Sequence, residues 1–479
     1  LESLLNDFQP EIVGATCVTM NFYDAVRVIE DVKSISPHVF TVIGGCHISF
    51  CARETLEQFP CLDCAVLGEG EDTVVELVRA IEQGRDLGHI KGLAYRKNGR
   101  VVLNEPRLPG IDLDTLPLPA RHLLPLGRYK ALGLSLTMTT SRGCPHQCIF
   151  CVGRKMIGPK VRYRRPEAVV DELEYLTSLG FPQVNIADDL FTADKRRCLA
   201  ICDEILRRGL TTKWTSFSRV DTVSPEVLGR MREAGCSAIS FGVESGNAGI
   251  LKTIKKRITT DQVVTAVKMC TAAGILPHAS FILGLPGETP ETIEESVAFG
   301  KKLKELGVSY GFHLLAPFPG TRVRDNAEEY GLKILTNDWS EYHANRAIVE
   351  TATVTAAMLD EVVADWQRQF DLYLEYIKGL MKSGQATEEE AWPLVNLERT
   401  VLLYDLLMNR VIEGQGTWPT SGRLISEEEA LDSLIDRVSA WAGKPRSLVS
   451  DTLKNSVSRN HLNCRQENGQ VHWEWRDYL

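Results

Sequence analysis

Thr139–Lys155 reads TTSRGCPHQCIFCVGRK, and it sets Cys144, Cys148 and Cys151 in a C-x3-C-x2-C spacing. A closed structural zinc site takes four protein ligands in a tetrahedron, and a disulfide framework takes cysteines in pairs. Three thiols serve neither well. His146 offers a fourth donor, but it lies inside the loop, where its reach is poor. A cubane of four irons held by three thiolates keeps one iron open for a substrate or cofactor. Structural zinc and unliganded thiols stand as the alternatives.

The triplet directly follows an apolar run, LSLTMTTS (134–141), which reads as a strand. Five more candidate strands follow: QVNIA (183–187), KWTSFS (213–218), SAISFGVE (237–244), PHASFILGL (277–285) and YGFHLLAPF (310–318). Amphipathic stretches fill the gaps, such as PEAVVDELEYLTSLG and SPEVLGRMREAG, the second opened by a Ser N-cap and closed by Gly235. Six strand–helix units predict a barrel or partial barrel, with chemistry at the carboxyl ends of the strands. The cysteines fall at the first of those ends.

Upstream, EIVGATCV (11–18), FTVIGG (40–45) and CAVLGEGE (64–71) alternate with helical stretches and predict an open α/β sheet. YRKNGRVVLNEPRL reads as a hairpin on Asn98-Gly99. PGIDLDTLPLPARHLLPL (109–126) has four prolines and no helical period, which marks a linker. Downstream of Trp339 long helical stretches take over, and NGQVHWEWRDYL at the tail reads as a short hairpin. The expected division is 1–105, a Rossmann-like domain; 106–133, a linker; 134–335, the barrel; and 336–479, a mostly helical region that caps the barrel or binds substrate.

The 479 residues are 44% apolar and 24% charged, as in a globular protein. A net charge of −9 argues against a nucleic-acid binder, although a basic run, RKMIGPKVRYRR, follows the cysteines. Thirteen cysteines without regular spacing, and no apolar run long enough to span a bilayer, predict a reducing cytoplasm and no transmembrane segment. The chain begins at Leu1 inside an amphipathic stretch, so a trimmed amino terminus is expected.

The cysteine spacing, with Phe150 before the last thiol, resembles the radical S-adenosylmethionine (SAM) superfamily. The resemblance implies a 4Fe–4S cluster on Cys144, Cys148 and Cys151, with SAM on the open iron and cleaved to a 5′-deoxyadenosyl radical. It also implies SAM contacts at the remaining strand ends. Asp188 and Asp189 replace the family's Gly-Gly-Glu type motif, Ser218 and Arg219 face the SAM carboxylate, Glu244 the ribose, and Gly284 and Gly287 the adenine. The stretch APFPGT (316–321) is similar to a signature of the cobalamin-dependent branch.

The first domain resembles the cobalamin-binding domain of that branch. The resemblance places cobalamin on Thr16, Thr19, Gly44, Gly45, His47, Gly68, Glu69 and Gly70, with His47 as a candidate cobalt ligand weighed against simple packing. A flavodoxin-like domain without corrin is the alternative. The whole pattern looks most like the anaerobic magnesium-protoporphyrin monomethyl ester cyclases and their B12-dependent methylase relatives. It implies a small-molecule substrate, hydrophobic or tetrapyrrole, and an electron donor such as flavodoxin or ferredoxin. Trp339, Tyr342 and Trp366 are candidates for a hydrophobic substrate channel, weighed against core packing. Methyl transfer from methylcobalamin to an unactivated carbon is the main expectation. Radical cyclisation, methylthiolation and a non-enzymatic cobalamin or iron–sulfur sensor are the rivals.

Overall fold

The computed structural model describes residues 1–420 and 422–478. The first sheet contains β1 (Ile12–Thr16), β2 (Phe40–Gly44), β3 (Cys64–Val66), β4 (Leu93–Lys97) and β5 (Arg100–Leu103), in that spatial order. β1, β2 and β3 run parallel, and β4 and β5 complete the sheet antiparallel. Asn98 and Gly99 both have positive φ, as a two-residue turn between twisted strands requires. The helix Phe22–Ile35 buries Phe22, Val26, Ile29 and Val32 at helical spacing, so one face packs on the sheet.

Next come β6 (Leu136–Met138), β7 (Ser141–Arg142), β8 (Arg162–Tyr163), β9 (Val184–Ile186), β10 (Trp214–Ser218), β11 (Cys236–Glu244), β12 (Leu276–Leu283) and β13 (Ser309–Leu314). Six of these form one parallel sheet in the order β13-β12-β11-β10-β9-β6. Each strand lies beside its predecessor, the topology of a partial (β/α)6 barrel. β7 and β8 pair separately as an antiparallel ribbon. Outward residues such as Trp214, Phe241 and Phe281 are fully buried against the surrounding helices. Each such side chain contributes roughly 1.5–3 kcal/mol of burial. Apart from β11, the strands are shorter than the apolar runs suggested: β13 ends at Leu314, and Ala316–Phe318 is irregular.

The stretch expected as a linker is built into the fold. Arg121 forms a buried ion pair with Glu172 at 2.7 Å. The short helix Leu126–Ala131 docks on the far end of the chain, where Gly127 donates its N–H to the Asp477 carbonyl at 3.0 Å and Arg128 pairs with Asp477 and Glu413.

Beyond the barrel lie the small ribbon β14 (Lys333–Ile334) and β15 (Val349–Glu350), then the helices Ala356–Lys382, Glu388–Met408, Glu427–Ala442 and Arg446–Ser458. Of the stretch expected as a terminal hairpin (468–479), only β18 (Gln470–Trp475) is a strand; it pairs with β17 (Leu462–Glu467), which lies upstream of that stretch, and β16 (Thr417–Pro419) adds a third strand. The carboxyl-terminal region is therefore mixed, with its own core around Leu406, Ile412, Leu434 and Trp473.

Candidate cofactor and active site

The cysteine loop grows from a braced stem. β7 and β8 close it, with Ser141 opposite Tyr163 and Arg142 opposite Arg162. Asp188, just beyond β9, accepts hydrogen bonds from the N–H and Oγ1 of Thr140, both at 2.5 Å, and from the N–H and Oγ of Ser141 at 3.1 and 2.6 Å. Four donors occupy the Asp188 carboxylate and tie it to the stem of the cysteine loop. Asp189 is the exposed acid of the pair, and it flanks Gly153 beside the Cys151 thiol.

Between the stems, buried Ile149 donates to the Ile254 carbonyl and accepts from Val323, which pins the loop to the segments that follow β11 and β13. Phe150 packs on the barrel core. The Gly153 N–H donates to Cys151 Sγ at 3.3 Å. Burial pushes the Cys144 and Cys148 thiols up, and the cations Arg219 and Lys256 oppose that shift at both. A cavity of about 140 Å³ is lined by Cys148 and Cys151 together with His146, Arg154, Lys155 and Arg322. Among the described residues no three His, Cys, Asp or Glu side chains converge on a single ion. Cys148 and Cys151 line this cation-rimmed cavity, Cys144 precedes Cys148 by four residues on the same loop, and three soft thiolate donors suit an iron–sulfur cluster.

The other strand ends are held by internal pairs. Arg219, buried at the end of β10, makes a two-point contact with Asp221 at 2.9 Å each and donates to the Lys256 carbonyl. Its guanidinium is a charge held near the thiols by these partners. Ser218 Oγ is buried without a hydrogen-bond partner. Glu244 ends β11 with φ of 68° and pairs with Lys256 Nζ at 2.6 Å. Gly284 and Gly287 both have positive φ in the turn after β12. Glu288 holds that turn, accepting from the N–H groups of Gly284 and Leu285 at 2.7 and 3.0 Å. Burial pushes the Glu288 carboxyl up to about 7 against these two bonds. Sequence reasoning missed Lys256 and Glu288. Their signal was positional: a basic run after Glu244, and an acid just after the glycine turn.

The inward face of the barrel is unusual for a parallel sheet, whose strands are ordinarily apolar on both faces. Thr137, Asn185, Thr215, Ser240, His278 and His313 line it, none of them fully buried. Asn185 Oδ1 accepts from Thr215 Oγ1 at 2.8 Å, and His278 Nδ1 lies 3.0 Å from Ser309 Oγ. Phe217 is half exposed among them.

On the first sheet the glycine turns after β2 and β3 are joined through Ser49, whose Oγ donates to the Gly45 carbonyl and accepts from Gly68 N–H, both at 2.9 Å. Gly45 has φ of 105°, and a Cβ there would collide with the Cys17 carbonyl oxygen. Gly44 contacts the β3 backbone, a Cβ on Gly68 would meet open space, and Gly70 caps the helix Glu71–Glu82. Thr16 is exposed, with Val18 and Met20 exposed nearby. Bare backbone beside an apolar rim is a cradle suited to a bulky, partly apolar ligand, and cobalamin fits it.

Two of the residues expected to hold cobalamin are buried on protein partners. His47 is fully buried between the Phe22 ring at 4.5 Å and the Trp339 ring at 5.0 Å, with Nδ1 3.2 Å from Thr19 Oγ1. Burial, and then Arg324, hold its imidazole down to about 4, so it is neutral. Glu69 is buried too, its carboxylate taken by Arg142 and Arg162. Trp339 and Tyr342 pack in the seam between sheet and barrel, with Arg324 stacked over both. Trp366 is exposed on the helix Ala356–Lys382. None of the three forms a common channel.

The sequence profile of the Radical SAM superfamily matches residues 138–300, and that of the B12 binding domain matches residues 1–78. An uncharacterized methyltransferase of Pyrococcus horikoshii is 38% identical over 76% of this chain and 79% of its own length. The anaerobic magnesium-protoporphyrin IX monomethyl ester cyclase of Rubrivivax gelatinosus is 30% identical over 78% of this chain and 68% of its own. In fold, the chain is similar to the cobalamin-dependent SAM radical enzyme OxsB, solved with aqua-cobalamin and SAM bound. That match has a TM-score of 0.67 at 20% identity and covers 98% of this chain and 75% of OxsB. With its cysteine loop and glycine cradle on the two matched segments, the chain belongs to the B12-binding-domain radical SAM family, whose cofactors are a 4Fe–4S cluster, SAM and cobalamin.

Proposed function

We propose that this chain is a methyltransferase that places a methyl group on an unactivated carbon of a polar small molecule. One observation carries the reading. Arg142, two residues before Cys144, is paired with Glu69 and Glu71 in the loop after β3, so the cysteine loop and the glycine cradle face each other across one seam.

When bound, the three cofactors supply a radical that removes hydrogen from the substrate and a methyl group to replace it. The chain's own part is placement. Cys144, Cys148 and Cys151 hold the cluster, with the Arg219 and Lys256 charges beside the thiols. The turn braced by Glu288 presents its backbone to adenine, and the bare turns at Gly44–Gly45 and Gly68 admit the corrin edge. Buried Ile149 and the aromatic seam keep water from behind the loop.

Substrate polarity follows from the inner wall. A purely hydrophobic molecule there would strip Asn185, Thr215, His278 and His313 of water and return no hydrogen bond, at a cost of roughly 1–3 kcal/mol per group. A substrate with its own donors and acceptors replaces that water, and Phe217 offers one apolar face. The proposal places the enzyme in the cytoplasm, supplied with electrons by flavodoxin or ferredoxin. Among the described residues no helix is long and apolar enough to cross a membrane.

The test needs no substrate. Anaerobic protein loaded with iron and cobalamin is reduced to the cob(I)alamin state and mixed with SAM labelled in its methyl group. Methyl transfer predicts S-adenosylhomocysteine and label on cobalamin. If only 5′-deoxyadenosine forms and cobalamin stays unlabelled, methyl transfer is wrong, and radical cyclisation of the kind named for the R. gelatinosus relative takes its place.

A further inference from the structure

We propose that Glu69 is a positioning residue that fixes the cobalamin loop in register with the cysteine loop; this rests on the two-cofactor reading above. Its carboxylate is buried and has both oxygens engaged. Oε1 accepts from Arg142 Nη1 at 3.0 Å and Arg162 Nη2 at 2.8 Å, and Oε2 accepts from Arg162 Nη1 at 3.0 Å. Both oxygens are thus held by the two arginines.

The two arginines sit opposite each other in the β7–β8 ribbon. Like charges at directly opposed positions push a ribbon apart, and an anion between them turns the repulsion into a bridge. Arg142 reaches on to Glu71 Oε1 at 2.7 Å. Arg162 also donates to the Ile111 carbonyl in the interdomain segment and to the Ile157 carbonyl in the cysteine loop, both at 3.1 Å. One carboxylate therefore joins the tip of β3, both stems of the cysteine loop and the connecting segment. The ribbon bounds residues 143–161, so its register sets where the cluster-bearing loop sits against the tip of β3, while Asp188 still holds the loop's stem. In-line methyl passage between cofactors is sensitive to displacements of about 1 Å, which can cost a hundredfold in rate. The clamp acts on that distance.

Glu69→Gln keeps the shape and removes the charge. The cofactor-free chain is tested first, by hydrogen exchange. Faster exchange is expected together in residues 66–72 and 141–163; a change confined to 66–72 overturns the clamp. On anaerobic protein carrying iron and cobalamin, S-adenosylhomocysteine formation from cob(I)alamin and labelled SAM is expected to fall at least about tenfold. Dithionite-driven 5′-deoxyadenosine formation, which needs only the cysteine loop and SAM, is expected to fall far less. Equal losses in both would make Glu69 a general structural residue and overturn the proposal. Arg162→Gln, which leaves the Arg142 pair, is expected to reproduce the split more weakly. Should the unaltered protein make no S-adenosylhomocysteine, the methyl-transfer reading falls, and the exchange experiment still decides the clamp.

Discussion

A carboxylate taken out of water must meet a cation or give up its charge, and at the end of β11 Glu244 meets Lys256. Lys256→Met strands that carboxylate, and a loss of about 3–5 kcal/mol in urea denaturation is expected. Adding Glu244→Gln should return most of it, because the site then buries no lone charge. A double variant as unstable as the single one would refute the pair. The thiols are simpler: Cys144→Ala, Cys148→Ala or Cys151→Ala should each remove the cluster, read as iron per chain, and abolish 5′-deoxyadenosine formation. Retained cleavage in any of them would sink the ligand assignment. These two cases mark what was legible at this scale. The cysteines are close in sequence, so spacing alone exposes them. The partners of Asp188 and Glu69 are set by contacts between distant segments, Arg142 lying 73 residues from Glu69.

The turn between β12 and the helix Pro290–Glu305 shows an element held by one titratable group. Glu288 is held up to about 7 by burial, above the ordinary glutamate value near ~4.3. With the folded value raised, the folded state binds the extra proton, so its contribution to stability is present below about pH 4.3 and is lost as pH rises through 7. Glu288→Gln should flatten stability over that window, since the amide can still accept from Gly284 and Leu285. An unchanged pH slope would show that the carboxyl titrates normally. Elements were read well where periodicity was strong: β6, β9 and β10 lie within their runs, and β11, β12 and β13 each begin one residue before theirs. β16 escaped because three residues ending in Pro419 carry no alternation, and a proline is tolerated there only at a sheet edge. The linker escaped for another reason. Prolines do mark its irregular backbone, but Arg121 and Gly127 find their partners at Glu172 and Asp477.

Across the whole molecule, function depends on how the first sheet sits on the barrel, and that seam is built from side chains too far apart in sequence to be paired by inspection. Trp339 packs against both cores, and His47 is buried beneath it. The tightest approach is at Gly320, in the loop after β13, where an added Cβ would overlap the ring of Phe50 from the first domain. Gly320→Ala therefore carries two penalties. Its φ of 81° is unfavourable for a side chain by about 1–2 kcal/mol, and forcing the methyl against the ring adds about 1–3 kcal/mol. Phe50→Leu relieves only the second. The double variant is thus expected to be more stable than the two single losses add up to, by about 1–2 kcal/mol, while remaining below the unaltered chain because the backbone strain stays. Strict additivity in urea denaturation would mean that Gly320 and Phe50 do not touch in solution. Gly320 lines the cavity at Cys148 and Cys151, and Phe50 follows Ser49, which ties the two glycine turns, so the contact joins the two proposed cofactor sites. If it sets their separation, Gly320→Ala lowers S-adenosylhomocysteine formation more than 5′-deoxyadenosine formation, as Glu69→Gln does from the other side of the seam, and Phe50→Leu restores part of the difference.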